Sequence, residues 1–206
     1  AGRLIEDAAL ARYLERVLDE ASGVHASFFE VTTAAAFLAF AENPADACII
    51  EVGLGGRLDA TNVIETPVSC GIAQLGIDHQ SFLGNTLKDI AAEKAGIAKR
   101  SAPLVTQRYP DALMPVMIEA AARAQTRWLA MGNAWDAAAY RERLHYRDEQ
   151  GRIDTPLPRL PGAHQVHNAA LAFAMLRHQD AIAVSDAALK AAPLWAQWPA
   201  RLQRLD

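Results

Sequence analysis

The sequence predicts an α/β fold, a largely parallel sheet flanked by helices with a small β-hairpin element. Three observations predict it. Short apolar runs bounded by glycine or proline recur along the first two thirds of the chain. Segments with helical spacing separate those runs, and strand–helix alternation requires crossovers and therefore parallel strands. Beyond Arg141 the alternation stops, and Gln150-Gly151 lies between two polar–apolar runs that read as a hairpin.

The elements follow in order. Ile5 to Leu18 carries Leu10, Tyr13, Leu14 and Val17 at helical spacing. Thr32 or Thr33 is expected to cap a second helix, Ala34 to Ala41, which stops before Asn43-Pro44. Ala47 to Val52 and Val68 to Leu75 read as buried strands, the second bounded by Pro67 and Gly76. A helix is expected from Asn85 or Thr86 to Ala98, with Lys99 and Arg100 suiting the dipole at its end. Pro103 to Gln107 is a third strand, Asp111 to Ala124 an alanine-rich helix, and Trp128 to Met131 a short strand. Leu144 to Asp148 and Arg152 to Leu157 form the hairpin, and Pro156, Pro158 and Pro161 confine any strand there to an edge. His167 to Leu176 and Val184 to Ala192 return to helix. No linker composition divides the chain.

Composition bounds the function. The 206 residues suffice for one sizeable domain, and 51% are hydrophobic. A net charge of −4 gives no electrostatic case for nucleic acid or an anionic membrane. No apolar run is long enough to span a bilayer. No signal-peptide pattern opens the chain, so cytoplasmic residence is the expectation. Cys48 and Cys70, both in apolar runs, are expected as buried free thiols in a reducing compartment. The first residue is Ala1 rather than Met, which is expected of a processed, excised or incompletely presented chain.

Five motifs carry chemistry. Glu51-Val-Gly-Leu-Gly-Gly-Arg-Leu-Asp-Ala-Thr-Asn62 follows the apolar run Ala47-Cys-Ile-Ile50. Its three glycines allow a sharp turn and close approach to a ligand at a strand end, where open α/β sheets bind ligands. Glu51 can cap that turn or hold a cation; Mg²⁺ takes oxygen ligands and few carboxylates. Gly76-Ile-Asp-His-Gln-Ser-Phe-Leu-Gly84 leaves the next strand and places His79 at its end. Asp89-Ile-Ala-Ala-Glu-Lys-Ala-Gly-Ile-Ala-Lys99 contains Glu93-Lys94, either a solvated pair or something more specific. Leu160-Pro-Gly-Ala-His-Gln-Val-His-Asn-Ala-Ala170 opens a helix near Asn168, an N-cap candidate. Trp198-Pro-Ala-Arg-Leu-Gln203 closes the chain around Arg201. His164 and His167 read as surface or packing residues.

Together these motifs resemble the folylpolyglutamate synthases and bifunctional dihydrofolate synthases of the Mur ligase superfamily, over nearly the whole chain. The resemblance implies a Mur-ligase-like central ATPase domain. It implies Glu51 as an Mg²⁺ ligand, His79 on a second magnesium, and Lys94 as a lysine carbamylated by CO₂ to give a further carboxylate ligand. Carbamylation requires a neutral amine. The pterin-binding contacts map onto Leu58, Asp59 and Ala60 and onto the upstream stretch Ser27-Phe28-Phe29-Glu30, whose rings suit stacking or core packing. Asn168 matches the residue that contacts adenine, and Arg201 the arginine that reaches the ATP phosphates. Ala200 stands where the family has glycine.

No Gly-x-x-Gly-Lys-Ser loop occurs in the sequence. The resemblance places that loop upstream of Ala1 and a further domain after Asp206. Residues 1–198 are therefore expected to be a partial central domain, with 199–206 opening a linker. The implied parent is an ATP-dependent amide ligase, expected to be monomeric, that adds L-glutamate to dihydropteroate, to folylpolyglutamates, or to both. The isolated chain is expected to be inactive. A non-catalytic folate-binding or interaction domain is the alternative of a different class. A peptidoglycan Mur ligase fits less well because it lacks the Gly-Leu-Gly-Gly-Arg-Leu-Asp-Ala-Thr-Asn string, and no Gly-x-Gly-x-x-Gly supports a dehydrogenase.

Overall fold

The computed structural model describes residues 4–198. The chain divides into two compact units, Ala1–Val63 and Ile64–Asp206.

The first unit begins with two helices, α1 (Asp7–Glu20) and α2 (Phe28–Glu42), packed on one another. Tyr13 is buried there, and its hydroxyl accepts from Asn43 Nδ2 at 3.0 Å. Helix α2 starts earlier than Thr32 or Thr33 would have it. Ser27 is the N-cap, its hydroxyl accepting from the Glu30 N–H, while Glu30 Oε2 accepts from the Ser27 N–H at 2.7 Å. This capping box satisfies two donors that the first turn otherwise leaves free. Thr32 instead bonds back to the carbonyls of Phe28 and Phe29. The expected buried strand over Ala47 to Val52 does not form: no residue of it joins a ladder, and Ile49 is 94% exposed. An extended run becomes a strand only when a neighbour takes its backbone bonds, and none among the described residues does. Cys48 is accordingly exposed rather than buried.

The second unit holds the α/β layer. Strands β1 (Cys70–Ile72), β2 (Leu104–Thr106) and β3 (Trp128–Ala130) form a parallel sheet in that order. The register pairs Cys70 with Leu104 and Leu104 with Trp128. Successive β2 side chains face opposite layers. Leu104 joins Ala91 and Ala95 of α4 (Leu87–Ala95) and Met117 of α5 (Met114–Ala124). Val105 joins Phe173 and Ala170 of α6 (His164–Arg177). Both faces of the sheet are therefore covered, as a parallel sheet requires. The short helix α3 (Gln80–Leu83) precedes α4, and a 3₁₀ turn, Asp111–Leu113, precedes α5. Thr86 caps α4 through a second capping box with Asp89. Helix α6 comes so close to β1 that a Cβ on Gly71 would stand 2.3 Å from Met175 Sδ.

The hairpin is larger than expected. Strand β4 (Trp135–Tyr140) adds to β5 (Arg143–Asp148) and β6 (Gly151–Pro156) to give a three-stranded antiparallel sheet. Helix α7 (Asp186–Trp195) packs on β6. Helix α6 packs on β1 and β2 and also on β4 and β5, joining the two sheets. Its last residue, Arg177, donates Nε to Asp148 Oδ2 at 2.7 Å and Nη2 to Oδ1 at 2.8 Å, and the Asp148 side chain is fully buried. The Tyr146 hydroxyl and the Gln150 N–H also donate to Asp148. Burial alone would raise this carboxyl, but Arg177 and Tyr146 outweigh it and hold Asp148 below the usual carboxylate range. No helix among the described residues is long and apolar enough to cross a membrane.

Candidate functional site

In the second unit a cavity of about 310 Å³ opens at the carboxyl ends of the parallel strands. Gln74 lies just past β1, Gln107 and Arg108 just past β2, and Met131 just past β3; Asp136 and Ala137 of β4 and His167 of α6 complete the wall. This is where parallel α/β sheets place ligands. Its polar groups are held in place by buried neighbours. The Tyr109 hydroxyl reaches the carbonyls of Ile72 and Ala73 at 2.8 and 2.7 Å, fixing the end of β1. The Gln107 backbone N–H donates to Ile72 O at 3.3 Å. At the mouth, Arg108 stands 3.8 Å from Asp136, which also meets Arg147 at 3.3 Å.

Asn168 stands beside this cavity, since its bonding partner Gln107 and its neighbour His167 both line the wall. The cap of α6 is Ala163, so Asn168 is the fifth residue of the helix and not its N-cap. Its carboxamide is free of backbone duty. Gln107 Nε2 donates to Asn168 Oδ1 and Asn168 Nδ2 donates to Gln165 Oε1, both at 3.3 Å. His167 is exposed, as expected of a surface residue, and lines the cavity.

His79 lies beyond the end of β1, exposed, with φ 52 in the left-handed region. That conformation costs a residue with a Cβ about 1 kcal/mol or more. Asp78 supports it, Oδ1 accepting from the His79 N–H at 2.7 Å. Lys94 is half-buried in the last turn of α4, where a cation suits the helix end.

The glycine-rich motif belongs to the first unit. Gly53 makes room for a ring: a Cβ there would stand 2.2 Å from Phe29 Cζ, so a larger residue would push the ring aside. The Phe29 ring therefore lies over the turn, whereas Phe28 is 85% exposed. The carboxylate that organises the turn is Asp59, not Glu51. Asp59 Oδ2 accepts from the Leu54 N–H at 2.8 Å, and Oδ1 from the N–H and hydroxyl of Thr61. Burial would raise the Asp59 carboxyl, but these donors and the Gly53 N–H hold it below the usual range. Asp59, Ser27 and Glu30 thus all carry structural bonds, a role that Ser27-x-x-Glu30 signals in the sequence. Leu58 is 79% exposed and Ala60 half-buried.

Glu51 is exposed and makes no hydrogen bond or ion pair among the described residues, so both its oxygens are uncommitted. A free hard-oxygen donor fits Mg²⁺; a histidine nitrogen suits it less. Among the described residues no three His, Cys, Asp or Glu side chains are gathered as a metal site. Arg201 lies outside the described residues. Sequence reasoning missed Gln74, Gln107, Arg108 and Asp136: single polar residues after short strands carry no motif, and only the sheet order brings them together.

No protein-family model matches the chain. The dihydrofolate synthase/folylpolyglutamate synthase of Bacillus subtilis is 38% identical over 90% of this chain and 45% of its own length. A structure of E. coli FolC in complex with DHPP and ADP superposes with a TM-score of 0.87 at 28% identity, over 100% of this chain and 48% of that one. An FPGS–AMPPCP–folate complex superposes at 0.85 and 31% identity, over 99% and 53%. The chain thus spans about half the length of the relatives it matches.

Proposed function

From a chain that belongs to the folylpolyglutamate and dihydrofolate synthases, over the half of their length that it spans, we propose an ATP-dependent carboxylate–amine ligase that adds L-glutamate to dihydropteroate or to folylpolyglutamates. The observation that carries this is the superposition of nearly the whole chain on enzymes solved with ADP or AMPPCP and with folate or DHPP. Residues 1–198 are proposed as part of the central domain, with 199–206 opening the linker beyond it. The carboxylate of the pterin substrate attacks the γ-phosphorus of ATP, giving an acyl phosphate and ADP. The glutamate amine then attacks the acyl carbon and phosphate leaves.

The strand-end cavity, with Asn168 beside it, is assigned to the adenine end of ATP. Its place at the carboxyl ends of β1, β2 and β3 and the bonding of the Asn168 carboxamide to side chains alone support this. Arg201 is proposed to contact the phosphates, where a guanidinium matches phosphate oxygens. Glu51 is proposed as a magnesium ligand of the first unit, and His79 and Lys94, the latter as its carbamate, as ligands of the second. Bound there, magnesium would neutralise charge on the phosphoryl oxygens. Phe29, held over the glycine turn, exposed Phe28 and Leu58, and half-buried Ala60 are proposed to border the pterin. Ser27, Glu30 and Asp59 serve that surface by fixing the helix start and the turn. Cytoplasmic residence and a monomeric state belong to the same proposal and rest on the family.

Assaying the protein from the native reading frame with ATP, glutamate and either dihydropteroate or a folate tests the reading. ADP release that requires both other substrates is expected. Release independent of glutamate, or none at all, overturns it and favours a folate-binding domain without catalysis. Crystals grown with Mg²⁺ and bicarbonate should show Lys94 carbamylated; an unmodified amine there removes it from the ligand set.

A further inference from the structure

We propose that the mouth of the strand-end cavity holds an oxyanion subsite, where the Arg108 guanidinium grips a phosphoryl group or a carboxylate through paired N–H donors. Arg108 lines the cavity and follows Gln107 at the carboxyl end of the central strand β2. Its backbone is fixed between two buried neighbours, Gln107 and Tyr109, both bonded to the end of β1. The far end of the side chain has a seat of its own. Gly132, in the turn from β3 to β4, takes φ 87, and its N–H donates to Trp135 O at 2.7 Å. A Cβ on Gly132 would stand 2.5 Å from Arg108 Nη2, 2.8 Å from Nε and 2.9 Å from Cζ. Three guanidinium atoms therefore rest over the bare α-carbon. The turn calls for glycine twice, by its backbone conformation and by the cation it seats.

The seated cation has donors to spare. A guanidinium carries five N–H donors and no acceptor, so every edge of it reads the same way. Asp136 is the carboxylate beside it, at 3.8 Å, beyond hydrogen-bond reach. Asp136 is also engaged elsewhere: Oδ1 accepts from the Ala137 N–H at 3.0 Å and Oδ2 from Arg147 at 3.3 Å. One carboxylate thus stands between two arginines, and one positive charge at the mouth is left unbalanced. The guanidinium fork matches two oxygens on a single phosphorus or carbon, and such charge-assisted pairs are the strong ones. ATP and L-glutamate both carry oxyanions of that shape. The inference rests on the ligase reading only for the choice of these two.

The 206-residue chain, ¹⁵N-labelled, is titrated at constant ionic strength with tripolyphosphate and, separately, with L-glutamate. The Arg108 Nε–Hε signal and the backbone amides of Arg108 and Gly132 are followed. Saturable shifts that converge on Arg108 are expected. Tighter tripolyphosphate names the nucleotide as the source of the oxyanion, and tighter glutamate names the amino-acid substrate. Arg108→Lys keeps the charge and loses the fork, and should weaken binding about tenfold. Gly132→Ala pushes the guanidinium off its seat and should weaken binding as well. Asp136→Asn removes the competing carboxylate and should tighten binding about threefold, a gain that a merely structural Arg108 would not show. Dispersed spectra certify the fold of each variant, and Arg108→Lys and Asp136→Asn carry the test if Gly132→Ala does not fold. Unchanged binding in Arg108→Lys, weaker binding in Asp136→Asn, or shifts scattered over exposed arginines and lysines overturn the subsite. Silence of Arg108 toward both probes overturns it too, while the ligase reading stands or falls separately on ADP release.

Discussion

Ala47 to Val52 and Val68 to Leu75 look alike in sequence, yet one stays an exposed run and the other supplies β1. The second run meets β2, which meets β3, and burial on both faces completes it. The first finds no ladder among the described residues. Around it, order comes from polar side chains: Asp59 collects backbone donors, and Phe29 covers Gly53. Apolar content thus offers a strand, and neighbours decide whether it forms.

Substitutions can break that contrast. The largest effect is expected in the second unit, where Asp148→Asn leaves Arg177 buried against a neutral partner and should cost about 3–5 kcal/mol in denaturant unfolding followed by tryptophan fluorescence. All four tryptophans lie in that unit, so the signal reports on it. The same carboxyl gives a pH signature. Its folded value lies below the unfolded value of about 3.9, so its stabilisation is present above that pH and is lost as pH falls through the folded value. Asp148→Asn should flatten that acid limb; an unchanged limb would place the acid sensitivity elsewhere.

Leu104→Ala should follow at about 3 kcal/mol, since Leu104 is fully buried in the central strand. A loss under about 1 kcal/mol would mean the layer collapses around the gap. In the first unit, Gly53→Ala should displace the Phe29 ring at a cost of about 1–3 kcal/mol and speed amide exchange over Leu54 and Thr61. Unchanged exchange there would separate the ring from the turn. Smallest of all, Ile49→Ser should change stability by less than about 0.5 kcal/mol, because the side chain is already in solvent. A loss of about 2 kcal/mol would show that the run is covered after all.

These contrasts also mark what the sequence discloses. The parallel sheet, helix α4 with its Thr86 cap, and the β5–β6 hairpin were legible because each carries a local signal. Strand β4 was not. Its centre is Ala137, Ala138 and Ala139, and its turn uses Arg141 and Glu142 at φ 48 and 58 where asparagine and glycine are usual. The start of α2 was legible in Ser27-x-x-Glu30, and Thr32 drew attention from it. Glu51, His79, Lys94 and Asn168 come from motifs, but the cavity wall comes from strand order. Which carboxylate caps the glycine turn was not legible, because only the fold decides that Asp59 and not Glu51 reaches the Leu54 N–H.

Helix α6 carries Asn168 near its start and Arg177 at its end, and 14 residues make it a rod about 21 Å long. Clamped to β5 through Asp148 and leaning on both sheets, it works as a lever with a fixed far end. The pose of an amide at the cavity is then set partly by an ion pair remote from any ligand. Drift of residues around Asp148 and Arg177 would reach the cavity wall as a change in aim, long before it reached the fold as a loss of structure.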